Sequence, residues 1–187
     1  MLPPSTPFHP DIFFLYWNES KDFIEVNRLV VRWLTGIGHR VIDLSDELLQ
    51  EELMSNPESW ITEHLEDGKI KVILVESETV NECLKTEFEA EPSSGVDHLK
   101  VLSLKHIQAR LSRNYQRLSV VQYKVGLPGP VSSLVPHTRY TLPVHLAELQ
   151  AWLVETHGWD DNGNLESGRE QTLRDLKAAV QRYTGQL

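Results

Sequence analysis

The fifteen residues Asp11-Ile-Phe-Phe-Leu-Tyr-Trp-Asn-Glu-Ser-Lys-Asp-Phe-Ile-Glu25 decide how the rest of the chain is read. Residues 12–17 are apolar at every position, the pattern of a strand covered on both faces rather than one wetted on alternate residues. A central parallel strand is the expectation. The chain then turns polar at Asn18. Beyond it Phe23, Val26, Val30, Trp33, Leu34 and Ile37 recur at three- and four-residue steps, an amphipathic helix with Ser20 placed as its N-cap and Gly36 or Gly38 as its stop. In a nucleotide-binding α/β protein this strand-to-helix turn carries a glycine-rich loop, because only glycine lets the backbone approach phosphates closely. Here the turn is Asn18-Glu-Ser20 and holds no glycine.

Working outward, residues 39–44 read as a second strand, with Ser45 or Asp46 placed to cap a helix over residues 47–54. Pro57 breaks that helix or opens another, which carries Trp60, Ile61 and Leu65 and ends near Gly68. Residues 69–76, rich in β-branched side chains, form a third strand. Residues 77–98 are expected to hold a short helix and then a loop. Over residues 98–113 the apolar positions Leu99, Leu102, Ile107 and Leu111 define one helix face, and Lys100, Lys105 and Arg110 the other. A fourth strand over 118–125 is followed by a loop from Pro128-Gly-Pro130, a short fifth strand over 139–142, and a helix opened by Pro143. A polar loop over 158–168 leads to a final helix over 169–183, with Leu173, Leu176, Val180 and Tyr183 on one stripe.

Strands and helices alternating about five times predict a doubly wound, five-stranded parallel sheet of the flavodoxin-like α/β type, with a C-terminal extension helix. The expected organisation is an extended, proline-rich lead-in over 1–10, a domain over 11–157, and a loop plus helix over 158–187 packed on that domain. At 187 residues the chain suffices for one sizeable core. Its longest apolar runs, about six residues, fall far short of a membrane span. The start lacks the basic and apolar regions of a signal peptide, and a single cysteine, Cys83, fits a reducing compartment. The expected location is the cytoplasm, as a free protein or as the intracellular tail of a single-pass receptor.

The formal net charge of −9 argues against general nucleic-acid affinity, yet it is distributed unevenly. Residues 1–97 hold 20 acids against 7 bases, residues 98–147 hold 7 bases and no acid, and the remainder holds 7 acids against 4 bases. Either the basic segment pairs with acidic neighbours in its own fold, or the molecule carries opposite faces that steer association.

The ordered series of local strings resembles the SEFIR domain, the Toll/interleukin-1-receptor-like (TIR-like) domain of interleukin-17 receptors and their adaptor. Phe14-Leu-Tyr-Trp-Asn-Glu-Ser20 is similar to that family's opening strand and turn. Val41-Ile-Asp-Leu44 with Asp46-Glu47 resembles its second strand and acidic continuation. Asn56-Pro-Glu-Ser-Trp-Ile61 is similar to its proline-tryptophan step, Lys71-Val-Ile-Leu-Val-Glu-Ser77 to its strand ending in serine, and Val135-Pro-His-Thr-Arg-Tyr-Thr-Leu-Pro143 to the receptors' fifth strand. Trp17 and Asn18 depart from the family's small residues in the first turn, and residues 77–97 match nothing closely. The resemblance covers residues 11–185. It implies a non-catalytic signalling module that acts by homotypic SEFIR–SEFIR contact with receptor tails or an adaptor, or as a homo-oligomer, with no cofactor. It also implies that the contact surface follows the third strand, over residues 76–113. Glu76, Lys100, Lys105 and Arg110 are the partner-binding residues so implicated, the three bases facing the acidic helices before residue 68 of a partner.

Catalytic readings find less support. A response-regulator site needs an aspartate after the third strand, where Glu76 stands. TIR-like NAD-cleaving hydrolases commonly show Trp-x-x-x-Glu, and none of Trp17, Trp33, Trp60, Trp152 and Trp159 has a glutamate four residues on. The eight histidines lack metal-ligand spacing, Cys83 lacks a setting that would activate it, and Ser20 and Ser77 lack a nucleophile elbow and read as helix caps. A small α/β ligand-binding domain is the remaining rival. Trp33, Trp60 and Trp152 fall on apolar stripes and are expected in the core, while Trp159 reads as a plug under the last helix.

Overall fold

The protein's structure, a computed structural model, describes residues 9–53, 56–86, 95–124, 129–154 and 166–185. The first strand, β1 (Ile12–Leu15), is central. It is followed by α1 (Lys21–Gly36), β2 (Val41–Asp43), α2 (Glu47–Leu53), α3 (Pro57–Glu66), β3 (Lys71–Val75), α4 (Glu78–Lys85), α5 (Gly95–His106), β4 (Leu118–Gln122), β5 (Arg139–Thr141), α6 (Leu146–Val154) and α7 (Glu166–Thr184). The five strands are all parallel, in the order β2-β1-β3-β4-β5, with Ile12 opposite Val41 on one side and Lys71 on the other. This is the doubly wound α/β architecture expected from the sequence.

Strand alternation divides the core into two layers. Ile12, Phe14, Tyr16, Ile73, Val75 and Val121 pack under α1, α6 and α7, while Phe13, Leu15, Trp17, Val72, Leu74 and Val120 pack under α3, α4 and α5. Every residue of β1 and β3 is buried, which is why neither strand shows a polar alternation in the sequence. The caps are those the sequence names: Ser20 Oγ accepts from Phe23 N at 3.2 Å and Ser77 Oγ from Val80 N at 3.3 Å. Asp46 Oδ1 accepts from Leu48 N at 3.0 Å at the start of α2. Gly38 takes φ +100°, the left-handed conformation that closes the passage from α1 to β2, and the His9 ring lies against it. Among the described residues no helix is long and apolar enough to cross a membrane.

Three expectations need correction. The buried stripe of α5 and the π-helical turn Ile107–Leu111 that continues it is Lys100, Ser103, Leu104, Ile107 and Leu111, whereas Leu99 and Leu102 are only half-buried. Lys100 therefore faces inward. Pro143 does not open α6; it sits in the turn before it, where Thr141 N donates to His145 Nδ1 at 3.0 Å. Trp33 and Trp152 are buried, but Trp60 is half-buried and stacks on His64 with ring centroids 3.7 Å apart. The expected loop between β4 and β5 contains the 3-10 turn Pro130–Ser133, and the side chains of Val131, Leu134 and Val135 cover that part of the sheet. Trp159 lies outside the described residues.

Candidate functional site

In open parallel sheets ligands sit beyond the carboxyl ends of the strands, at the crevice where the strand order reverses. For this order the crevice lies between β1 and β3. Glu19 fills it. From the turn after β1 its Oε1 accepts the Thr79 N–H at 2.8 Å, one of the free amides at the start of α4. A helix N-terminus favours negative charge and is where a phosphate would bind. The chain supplies its own carboxylate instead. Ser77, buried, caps the same helix, so two side chains occupy the amides that a ligand would need.

Above α1, the ring of Tyr183 at the end of α7 lies 5.3 Å from Phe23 and 6.2 Å from Tyr123, with Lys124 Nζ 4.5 Å over it. Tyr123 is buried and donates its hydroxyl to Asn27 Oδ1 at 2.7 Å; Asn27 Nδ2 in turn donates to Phe23 O. Burial raises the pKa of both tyrosines, so both stay neutral hydrogen-bonding phenols.

Glu76, expected at a partner surface, is instead inside: its side chain is wholly buried and Oε2 lies 2.5 Å from Arg139 NH2. The same guanidinium donates to Gln122 Oε1 at 3.2 Å and, through NH1, to Val131 O at 2.9 Å. Asn81 Oδ1 receives the Val131 N–H at 3.1 Å. Together these bonds hold the 3-10 turn down on β3, β4 and α4. Sequence reasoning missed Arg139 because nothing local marks it; its partner is 63 residues away.

Lys100, the second expected contact, is also buried. Its ammonium lies 5.0 Å over the Tyr16 ring, beyond the ends of β1 and β2. Burial lowers its pKa, opposed by the nearby charges of Asp43 and Asp97. Tyr16 donates its hydroxyl to Asp43 Oδ2 at 3.0 Å, and Ser45 N donates to Asp43 Oδ1 at 2.8 Å. Burial first, and the Asp43 charge second, push the Tyr16 phenol up to about 12. Lys105 and Arg110 are exposed on the side of the sheet that also carries α3, so of the four residues these two remain on the surface.

Among the described residues no group of three or more histidine, cysteine, aspartate or glutamate side chains is arranged to hold a metal. Burial, followed by the Glu82 charge, raises the pKa of the half-buried Cys83 thiol, the opposite of an activated nucleophile. No protein-family model matches the chain, and no curated protein matches it significantly.

Proposed function

We propose that this chain is a non-catalytic signalling module that assembles with like domains, in the manner of the SEFIR domains of interleukin-17-receptor-like signalling. The observation that carries the non-catalytic half of this reading is the Glu19–Thr79 bond, which puts an internal carboxylate where a nucleotide phosphate would sit. The ordered strings of the sequence and a five-stranded 2-1-3-4-5 parallel sheet support the SEFIR-like half. The partners are other SEFIR-domain proteins or a second copy, and the compartment is the cytoplasm.

Burial of Lys100 and Glu76 narrows the basic contact surface to Lys105 and Arg110, with exposed Arg113 one turn on. The test is a pull-down against receptor and adaptor SEFIR domains with wild type and with the pair Lys105→Glu/Arg110→Glu. Capture that is lost in the double variant, and that weakens as salt rises, is the expected result. No capture of any SEFIR domain removes the reading. Nicotinamide released from NAD by the purified protein would replace it with a TIR-like hydrolase.

A further inference from the structure

The residues that lead into β1 are fastened to the start of β2 by one imidazole. His39 is 2% exposed, and its Nδ1 lies 2.9 Å from the Pro10 carbonyl oxygen. A carbonyl oxygen only accepts, so Nδ1 carries the proton and Nε2 is a bare lone pair. That Nε2 is buried and has no hydrogen-bond partner. The His9 ring stands perpendicular to His39 with centroids 5.2 Å apart, and it lies so close to Gly38 that a Cβ there would be 3.2 Å from His9 Nε2. His9 and Pro10 thus rest on Gly38 and His39. Asp11, by contrast, is held by the sheet: its carbonyl accepts from Lys71 N at 2.9 Å, and its carboxylate meets Arg40 at 3.3 Å.

This arrangement suits only a neutral His39. The titratable groups that act on its ring are His9 and Asp11 in the entering segment and Lys71 at the start of β3. Lys71 is a cation only 7% exposed, and Asp11 is shared with Arg40. A proton on Nε2 would create a buried donor without an acceptor, close to a second positive charge. Two sides of the ring cannot move without disturbing the core, because His39 N donates to Leu34 O at 3.1 Å on α1 and Lys71 opens the buried strand β3. The third side, His9 and Pro10, can open locally and let water reach the ring.

We propose that His39 is an acid-operated latch: neutral, it holds His9 and Pro10 against the start of β2, and protonated, it lets them go while the sheet stays folded. Burial lowers the pKa of the closed ring below 6.5. The closed form is therefore fully favoured above 6.5 and loses ground as pH falls from there towards the lowered value. The latch is independent of partner assembly and does not fall with it.

The full chain, labelled with nitrogen-15, is followed by NMR from pH 7.5 to pH 5. The His39 ring nitrogens should report the Nδ1–H tautomer at pH 7.5 and titrate with a midpoint below 6.5. In step with that titration the heteronuclear NOE of the His9 amide should fall, as its fast motion grows, while that of Leu74 in β3 stays constant. His39→Gln has no ring to titrate and should keep the His9 NOE constant over the whole range. His9→Ala thins the cover over the ring and should raise the His39 midpoint towards 6.5; it decides the matter if His39→Gln does not fold. The proposal is overturned if His39 titrates while His9 stays rigid, if Leu74 loosens together with His9, or if His9→Ala leaves the midpoint unchanged.

Discussion

At the scale of single residues, the molecule's charged groups divide into those that water holds and those that the fold holds. His39 belongs to the second kind. It is 2% exposed, Nδ1 lies 2.9 Å from the Pro10 carbonyl oxygen and so carries the proton, and Nε2 is buried without a partner. Burial lowers its pKa below 6.5; His9 and Lys71 push the same way, while the Pro10 bond and Asp11 oppose them. The folded state thus prefers neutral His39, and the unfolded chain takes up the proton first as pH falls. Its stabilising contribution is complete above 6.5 and is lost as pH drops from there towards the lowered folded value. His39→Gln should accordingly be less stable than wild type at pH 7.5, with the gap narrowing by pH 5.5 in denaturant melts; a gap independent of pH would show that His39 does not titrate in this way. Glu76 and Arg139 offer a second case. Arg139→Met leaves a wholly buried carboxylate unpaired and should cost about 3–5 kcal/mol, whereas Glu76→Met/Arg139→Met should recover part of that loss, because a buried pair is expensive to break but not to replace. Chemical denaturation of these two variants and of Glu76→Met alone gives the coupling directly.

At the scale of elements, apolar rhythm was legible and long-range pairing was not. β1 and β3 declared themselves as unbroken apolar runs, and the Ser20 and Ser77 caps followed from residue type and position. The placement of Lys100 was in principle readable: positions 100, 103, 104, 107 and 111 keep helical spacing, but a lysine is discounted in such a count because its chemistry speaks for the surface. Glu76 gave a weaker signal, continuing a fully buried strand by one residue, and its arginine lies too far along the sequence for any local pattern to join them. Lys71 is similar: it opens β3, is 7% exposed, and its ammonium donates to Trp152 O near the end of α6 while lying 4.3 Å from the Trp152 ring. A cation at a helix C-terminus satisfies carbonyls that the helix itself leaves unbonded. The 3-10 turn between β4 and β5 depends on close approach instead. A Cβ at Gly129 would stand 2.0 Å from Asn81 Oδ1, and that carboxamide is fixed by the Val131 N–H. Gly129→Ala should therefore cost about 1–3 kcal/mol, by the usual toll of overpacking, with the loss read as a lowered melting temperature. A variant as stable as wild type would mean that Asn81 is free to move and does not clamp the turn.

At the scale of the whole molecule, the uneven charge acquires a geometry. The acidic helix α3, with Glu58, Glu63 and Glu66 exposed, packs beside α5, which carries exposed Lys105 and is followed by exposed Arg110 and Arg113. Opposite signs thus stand side by side on one face instead of on opposite ends of the molecule. Such a surface is self-complementary: a two-fold axis between the patches sets the α3 of each copy against the α5 of the other, so that every repulsion avoided is avoided twice. On the proposed reading, self-association should weaken as ionic strength rises from 50 to 500 mM, about 14 Å to 4 Å in screening length. A charge swap sharpens the expectation. Glu63→Lys/Glu66→Lys leaves both patches basic, and Lys105→Glu/Arg110→Glu leaves both acidic, so each variant alone should sediment as a monomer. Mixed one to one, each variant meets in its partner the sign it lacks, and the dimer should return. Sedimentation velocity of the two variants and their mixture reads this without knowledge of any other partner. If the mixture stays monomeric while wild type dimerises, the copies meet through another surface. If wild type is itself monomeric at every salt concentration, the patch is left for an unlike domain, and the same pair of variants then distinguishes which of its halves that domain contacts.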